Sequence, residues 1–312
     1  MDSPKRLAVT GATGFIGSHI TRQAVKAGYE VHSFGRKSVP GAIHHYWDAL
    51  VDTEQTGLKF TAVVHCAAAA TDWGDDEMIS SVNIQGTERA LKIDPQARFI
   101  HMSTASVYNH RGDGYNLSEE QAQAGGFLNA YTASKSQAED IVLNDDRKNG
   151  VFILRPHAVY GPGDTTLLPR VEAGIHFSRL VLPGGGASLM SLTRVENLAQ
   201  VVLEIAGLGN PAQGGVFNVC DGIPVRLCDA LVRIMVRRGM HLKIASVPSG
   251  LLWYAGIVLE KAYKAFNSSS PPPVSRYLVS QLGYAETLDV SKIEALLGRK
   301  MPGTMFDDAR HW

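Results

Sequence analysis

The sequence predicts an α/β fold: a doubly wound parallel sheet that carries a smaller C-terminal part. Three observations predict it. Apolar runs of strand length alternate with helical stretches through the first half, a glycine-rich turn joins the first strand to the first helix, and the rhythm breaks after Tyr160. The strands read from this pattern are Arg6–Thr10, Glu30–Phe34, Thr61–Cys66, Arg98–Met102 and Val151–Arg155, with Ile43–Trp47 as a short third strand after the second. The helices between them are Phe15–Ala27, Met78–Lys92 and Ala130–Leu143, and Gly28 stands where a helix typically ends. Strands alternating with helices imply parallel pairing.

Beyond Tyr160, Gly161-Pro162-Gly163-Asp164 and Pro183-Gly184-Gly185-Gly186 are turn-rich, the pattern after Val225 is mainly helical, and Ser268–Pro273 is a Ser/Pro loop. Val216–Val219 reads as one more strand returning to the main sheet. The expected division is residues 1–165 with 191–223 in the sheet domain, and 166–190 with 224–312 in the smaller, substrate-binding part.

At 312 residues and 45% hydrophobic the chain can bury a full core. A formal net charge of +0 gives no global attraction to nucleic acid or anionic lipid, so the expected partner is a small molecule. Cys66, Cys220 and Cys228 are too few and too scattered for a disulfide framework or a zinc site, and no His/Asp/Glu grouping has ligand spacing, so no metal is expected. Met1-Asp2-Ser3-Pro4-Lys5 runs straight into the first strand and leaves no room for a signal peptide, which reads as cytoplasmic. The longest apolar stretch, Leu251–Leu259, is far short of the roughly 20 residues that a membrane span needs. It reads as a core or lid helix, with a helix on a membrane surface or along an apolar pocket as the other reading.

Ligands of doubly wound sheets bind outside the carboxyl ends of the strands. The glycine turn, Cys66–Ala70, Ser103–Tyr108 and Arg155–Tyr160 all fall there. In the turn Thr10-Gly11-Ala12-Thr13-Gly14-Phe15-Ile16-Gly17, Gly11 permits the tight bend, Gly14 a close backbone approach and Gly17 close packing of helix on strand. The arrangement brings the backbone N–H groups about Thr13–Ile16 and a helix N-terminus against a dinucleotide pyrophosphate, the signature of a Rossmann-type domain. The second strand ends Phe34-Gly35-Arg36-Lys37 without the acid that would hold an NAD ribose. Arg36 and Lys37 suit the 2′-phosphate of NADP, with NAD still possible and solvated surface charge as the plainer reading. Asp48, after the third strand, is placed to accept from an adenine amino group.

Tyr131 and Lys135 stand four residues apart in a predicted helix and so share a face. A phenol titrates near pH 10, and an ammonium one turn away, with the positive nicotinamide of an oxidised cofactor, lowers that value toward neutrality. A hydroxyl at the end of the strand before them, in His101-Met102-Ser103-Thr104-Ala105-Ser106, can orient a substrate oxygen.

With these motifs in place the chain resembles the extended short-chain dehydrogenase/reductases. The resemblance rests on the Thr-Gly-x-x-Gly-x-x-Gly turn at 10–17, Val64-His65-Cys66-Ala67-Ala68, Val82-Asn83-Ile84-Gln85-Gly86-Thr87, Ser103–Tyr108, the Tyr131/Lys135 pair, and Leu154-Arg155-Pro156 through Val159-Tyr160-Gly161-Pro162-Gly163-Asp164, in the family's order. It implies Tyr131 as general acid/base, Lys135 as the group that lowers its pKa and holds the ribose, and Thr104 as the catalytic hydroxyl. It also implies cofactor contacts at Ala67 and Pro156, and a homodimer built on the helices Met78–Lys92 and Ala130–Leu143. Asn83 matches a family Asn that supports the site, a structural role being equally open.

Within that family, dehydratases carry an acid pair after the Thr, whereas this chain has Ala105-Ser106. Nucleotide-sugar epimerases carry a diphosphate-binding Arg near the position of Met190. Thr71-Asp72-Trp73-Gly74, Leu167-Leu168-Pro169-Arg170 and Pro271–Tyr277 resemble instead the branch of 3β-hydroxysteroid dehydrogenases, sterol-carboxylate dehydrogenases and 2-alkyl-3-ketoalkanoate reductases. The expectation is an NADP(H)-dependent ketone reductase or secondary-alcohol dehydrogenase acting on a hydrophobic substrate, with Trp73, Ser106 and His157 as substrate contacts. A nucleotide-sugar epimerase or reductase with tightly held cofactor is the alternative. Trp73 as a packing aromatic and His157 as a locally satisfied imidazole stay open.

Overall fold

The computed structural model describes residues 5–52, 56–109, 112–122, 125–209, 212–266 and 268–312. Met1–Pro4, part of the segment in which the absence of a leader was read, lie outside the described residues. The first half alternates strand and helix: β1 (Arg6–Thr10), α1 (Phe15–Lys26), β2 (Glu30–Gly35), β3 (Ile43–Tyr46), β4 (Ala62–His65), α2 (Asp76–Leu91) and β5 (Arg98–Met102). A short strand β6 (Gly114–Leu117) precedes α3 (Ala130–Leu143), β7 (Val151–Pro156), β8 (Val159–Tyr160) and α4 (Leu167–Ala173). Then come β9 (Ile175–His176), β10 (Arg179–Pro183), β11 (Leu189–Met190), β12 (Thr193–Arg194), α5 (Val195–Ala206) and β13 (Gly215–Val219). The chain ends with β14 (Val225–Arg226), α6 (Leu227–Arg237), β15 (Lys243–Val247), α7 (Ser249–Ala265), α8 (Arg276–Gly283), β16 (Glu286–Leu288) and α9 (Ser291–Leu297).

Seven strands form one parallel sheet in the order β13-β7-β5-β4-β1-β2-β3. Its central strands are buried on both faces, which explains why β4 and β5 read as near-continuous apolar runs. Along β1, Leu7 and Val9 pack into one layer with Ile20, Leu198 and Val202, while Ala8 packs into the other with Phe99, Ala90 and Val142. That alternation places α1 and α5 on one side of the sheet and α2 and α3 on the other. The returning segment is secured by Arg98, whose guanidinium donates to the Ile205 and Ala206 carbonyls at 2.7 and 3.0 Å at the end of α5. A cation against the carbonyl end of a helix satisfies groups that the helix leaves open.

The C-terminal elements, joined by β6 from the first half, form smaller sheets, β15-β10-β9 and β14-β11-β16-β6, and a second core holds Leu168, Leu182, Met190, Leu231 and Met235. The apolar stretch Leu251–Leu259 departs from the core-helix expectation. It lies in α7, where Gly256 alone is buried, and Leu251, Tyr254 and Val258 are 63%, 71% and 66% exposed. The reason is local: α7 approaches the start of α8 so closely that a side chain at Gly256 would press on the Arg276 backbone, so one narrow stripe is covered and the rest faces outward. Among the described residues no helix is long and apolar enough to cross a membrane.

Candidate active site

The carboxyl ends of β1, β4, β5 and β7 meet at one edge of the sheet, and the motif residues gather there. Gly11 has φ +67°, and a Cβ on it would stand 2.6 Å from the Ala67 amide nitrogen. A Cβ on Gly17 would collide with the Gly11 carbonyl. α1 therefore starts tight against β1 and β4, with Gly14 as a cap residue that offers no side chain to the first amides. Open N–H groups in a cradle cleared of side chains fit a pyrophosphate. Arg36 and Lys37 are exposed just past β2, and no ion pair involves either among the described residues. Asp48 accepts from the Leu50 amide at 2.9 Å, a bond that orders the loop after β3.

At the end of β4, Thr10 Oγ1 accepts from the Ala67 amide at 3.2 Å. Asn83 of α2 spends its amide on the same loop and on α3: Oδ1 accepts from the Ala69 amide at 2.7 Å and Nδ2 donates to Ser134 Oγ at 2.9 Å. This accounts for Asn83 as a brace that ties the strand end to the helix of Tyr131.

α3 begins at Asn129, whose side chain accepts from the Thr132 amide, and it turns Tyr131, Lys135 and Glu139 toward the sheet at intervals of one helical turn. The Tyr131 phenol lies within the influence of the Thr104 hydroxyl, on the residue that starts a short helical turn (Ala105–Tyr108) after β5. Burial pushes the Tyr131 pKa up, and the Thr104 hydroxyl opposes it. Lys135 is buried, with its ammonium donating to the Met102 carbonyl at 2.5 Å and lying 3.3 Å from His101 Nε2. Burial brings its pKa down to about 8, against the nearby Glu139 and Cys66, which favour the charged form. Glu139 is in turn gripped by Arg155 of β7 at 2.6 and 2.9 Å and by the Ser103 hydroxyl, all three buried. Ser103 thus holds the helix, while its neighbour Thr104 faces the phenol.

The wall opposite comes from the C-terminal part. Ser106 Oγ receives a hydrogen bond from Thr104 at 3.2 Å, lies 3.0 Å from the Tyr277 hydroxyl and donates to Gln281 at 3.4 Å. Ser106, Leu128, Thr132, Tyr277, Gln281 and Glu286 line the cavity here. His157, past Pro156 at the end of β7, donates from Nδ1 to the Ser191 carbonyl at 2.6 Å, and its Nε2 stands 3.7 Å from Glu286. Trp73 sits further out: its indole N–H donates to the Ser268 carbonyl at 3.0 Å and its ring meets Tyr263 edge-on at 6.4 Å. Beside it, Asp72 pairs with Arg170 of α4. The segments Thr71–Gly74 and Leu167–Arg170 and the loop before α8, distant in sequence, are joined by these contacts.

Sequence reasoning assigned no role to His101, Glu139, Gln281 or Glu286, and it named Tyr277 only as the end of a motif. Glu139 carried a usable signal, since it repeats the Tyr131/Lys135 spacing by one more turn. The others arrive by long-range contact.

Residues 7–220 match the family described as the NAD dependent epimerase/dehydratase family. The chain belongs to that family. It is therefore an NAD(P)-dependent oxidoreductase of extended short-chain dehydrogenase/reductase type, as its motifs indicate. A 2-alkyl-3-oxoalkanoate reductase of Shewanella oneidensis is 30% identical over 309 residues, 91% of this chain and 79% of that protein. The mouse (Mus musculus) sterol-4-alpha-carboxylate 3-dehydrogenase, decarboxylating, is 27% identical over 82% of this chain and 75% of its own length. In fold, this family member superposes on a UDP-glucuronic acid 4-epimerase from Bacillus cereus solved with NAD, with a TM-score of 0.71 at 20% identity, covering 98% of this chain and 94% of that one.

Proposed function

We propose that this family member is an NADP(H)-dependent oxidoreductase that interconverts a ketone and a secondary alcohol on a hydrophobic substrate, with Tyr131 as general acid/base. The observation that carries this reading is that α3 turns Tyr131 and the buried Lys135 toward the sheet one turn apart, with Thr104 acting on the Tyr131 phenol. Gly11, Thr13–Gly17, Ala67 and Pro156 would hold the dinucleotide, with Arg36 and Lys37 at a 2′-phosphate and Asp48 toward the adenine. When bound, that cofactor supplies or accepts the hydride. In reduction, Thr104 and Tyr131 donate hydrogen bonds to the carbonyl oxygen, and Tyr131 passes its proton to that oxygen as the alcohol forms. Lys135 stabilises the phenolate left behind, and Glu139 with Arg155 keeps the helix in register. In oxidation the same proton moves in the opposite direction.

A hydrophobic substrate is supported by the names of the relatives, which specify 2-alkyl-3-oxo acids and a sterol. Ala105-Ser106 offers no acid pair for eliminating water, and the buried Met190 offers no cation for a nucleotide diphosphate. Ser106 and His157 would contact the substrate, and Trp73 would do so from the outer rim. The reading includes a cytoplasmic homodimer built on α2 and α3, whose mass light scattering would test.

The deciding experiment measures NADPH and NADH oxidation by purified protein with 3-oxo acids, 3-ketosteroids and UDP-sugars, with Tyr131→Phe as control. Oxidation of NADPH by an apolar ketone, lost in the variant, is expected. Conversion of a UDP-sugar without added cofactor, and no ketone reduction, overturns the reading.

A further inference from the structure

We propose that His101 is the positioning residue for Lys135: its Nε2 accepts a hydrogen bond from the ammonium and, with the Met102 carbonyl, fixes it one helical turn from Tyr131. The proposal rests on the Tyr131–Lys135 chemistry read above. His101 is fully buried on β5, two residues after Phe99, and its ring lies parallel to that of His65, its register partner on β4, at 5.4 Å and 29°.

The hydrogen-bond directions can be worked out. Thr87 Oγ1 donates to the Asn83 carbonyl at 2.7 Å, so it can only accept from His65 Nε2, 3.2 Å away. Burial and Lys135 bring the His65 pKa down to about 3, so the ring carries one proton and its Nδ1 accepts from Thr10 Oγ1 at 2.7 Å. His65 is neutral and fully engaged. His101 Nε2 faces an ammonium at 3.3 Å, so it is an acceptor and its single N–H lies on Nδ1. That Nδ1 is buried and has no hydrogen-bond partner among the described residues. A residue kept only for packing would gain by being another Phe, since an unmet buried donor is costly. Its other nitrogen gives the reason for keeping the imidazole.

The titratable groups acting on Lys135 are His65 and Cys66 from β4, His101 from β5, and Glu139 on its own helix, itself bound by Arg155 of β7. Burial, Lys135 and His65 together keep His101 well below the usual imidazole range, so it stays an acceptor throughout the working pH range.

Two replacements separate this role from packing. His101→Phe keeps the ring shape and removes the acceptor, and His101→Gln places an amide oxygen near Nε2. In His101→Phe, NADPH affinity should stay within about twofold, kcat with an apolar ketone should fall about tenfold at little change in KM, and the alkaline limb of kcat should move to lower pH by about half a unit. His101→Gln should restore most of the rate. A His101→Phe enzyme with unchanged kcat and pH profile overturns the proposal. A readout independent of turnover is 15N-imidazole NMR, with the His101 signals assigned by their loss in His101→Gln. The expected state is neutral Nδ1–H, with an unprotonated Nε2 whose signal moves on Lys135→Met. A protonated Nε2, or no movement, overturns the inference whether or not any ketone is reduced and even if His101→Phe does not fold. Absence of ketone reduction by the unaltered enzyme counts against the proposed function alone.

Discussion

The Tyr277 hydroxyl of α8 stands 3.0 Å from Ser106 Oγ in the short helical turn after β5, joining the two parts of the chain beside the candidate acid/base. Burial and the nearby Tyr131 push the Tyr277 pKa up, so this phenol meets a ligand as a neutral hydrogen-bond donor. Replacing it by Phe should leave NADPH affinity unchanged and lower kcat/KM for a ketone by about tenfold, the worth of one hydrogen bond of roughly 1.4 kcal/mol. Cofactor titration alongside steady-state kinetics separates the two effects.

Lys135 makes stability and activity oppose one another. An unfolded lysine titrates near 10.4, whereas burial holds this one at about 8. Between those values the unfolded chain binds more protons, so stability rises with pH across this window and is lowest below it. Lys135→Met should therefore raise the melting temperature at pH 7 while abolishing turnover. The gain over the unaltered protein should shrink as pH climbs from about 8 toward 10. A variant less stable than the parent at pH 7 would contradict this.

Glu139 and Arg155 form a buried ion pair, and Glu139 is the carboxylate that faces the guanidinium. Glu139→Gln leaves the guanidinium without its countercharge and should cost about 3–5 kcal/mol in denaturant unfolding. A double change of both residues to Leu should cost less than the single one, because no charge is then stranded. An additive result would show that the two do not depend on one another.

Cofactor choice turns on Arg36. Removing a guanidinium that grips a phosphate costs about 1.5–3 kcal/mol, so Arg36→Ala should weaken NADPH binding by roughly ten- to hundredfold. NADH binding should hardly change, which fluorescence titration with each cofactor checks. Equal losses for both would assign Arg36 to the fold or to solvent.

Local pattern determined a large share of this protein. The helix Ala130–Leu143 and the strands Arg6–Thr10 and Arg98–Met102 were legible to the residue, because short strand-length runs rich in apolar residues alternate with helical stretches in a parallel α/β sheet. The glycine turn and the Tyr131/Lys135 spacing are equally local, and together with the motif order they identified the family. Tertiary structure decided what distant residues do. Tyr277 and Gln281 reach Ser106 across 171 and 175 residues, and Arg155 reaches Glu139 from the next strand. Leu251–Leu259 shows the same division: its hydrophobicity marked a helix, but the one stripe it covers was set by the close approach of α8 at Gly256. Periodicity records which way a side chain points along its own element; which group it meets depends on how the elements pack.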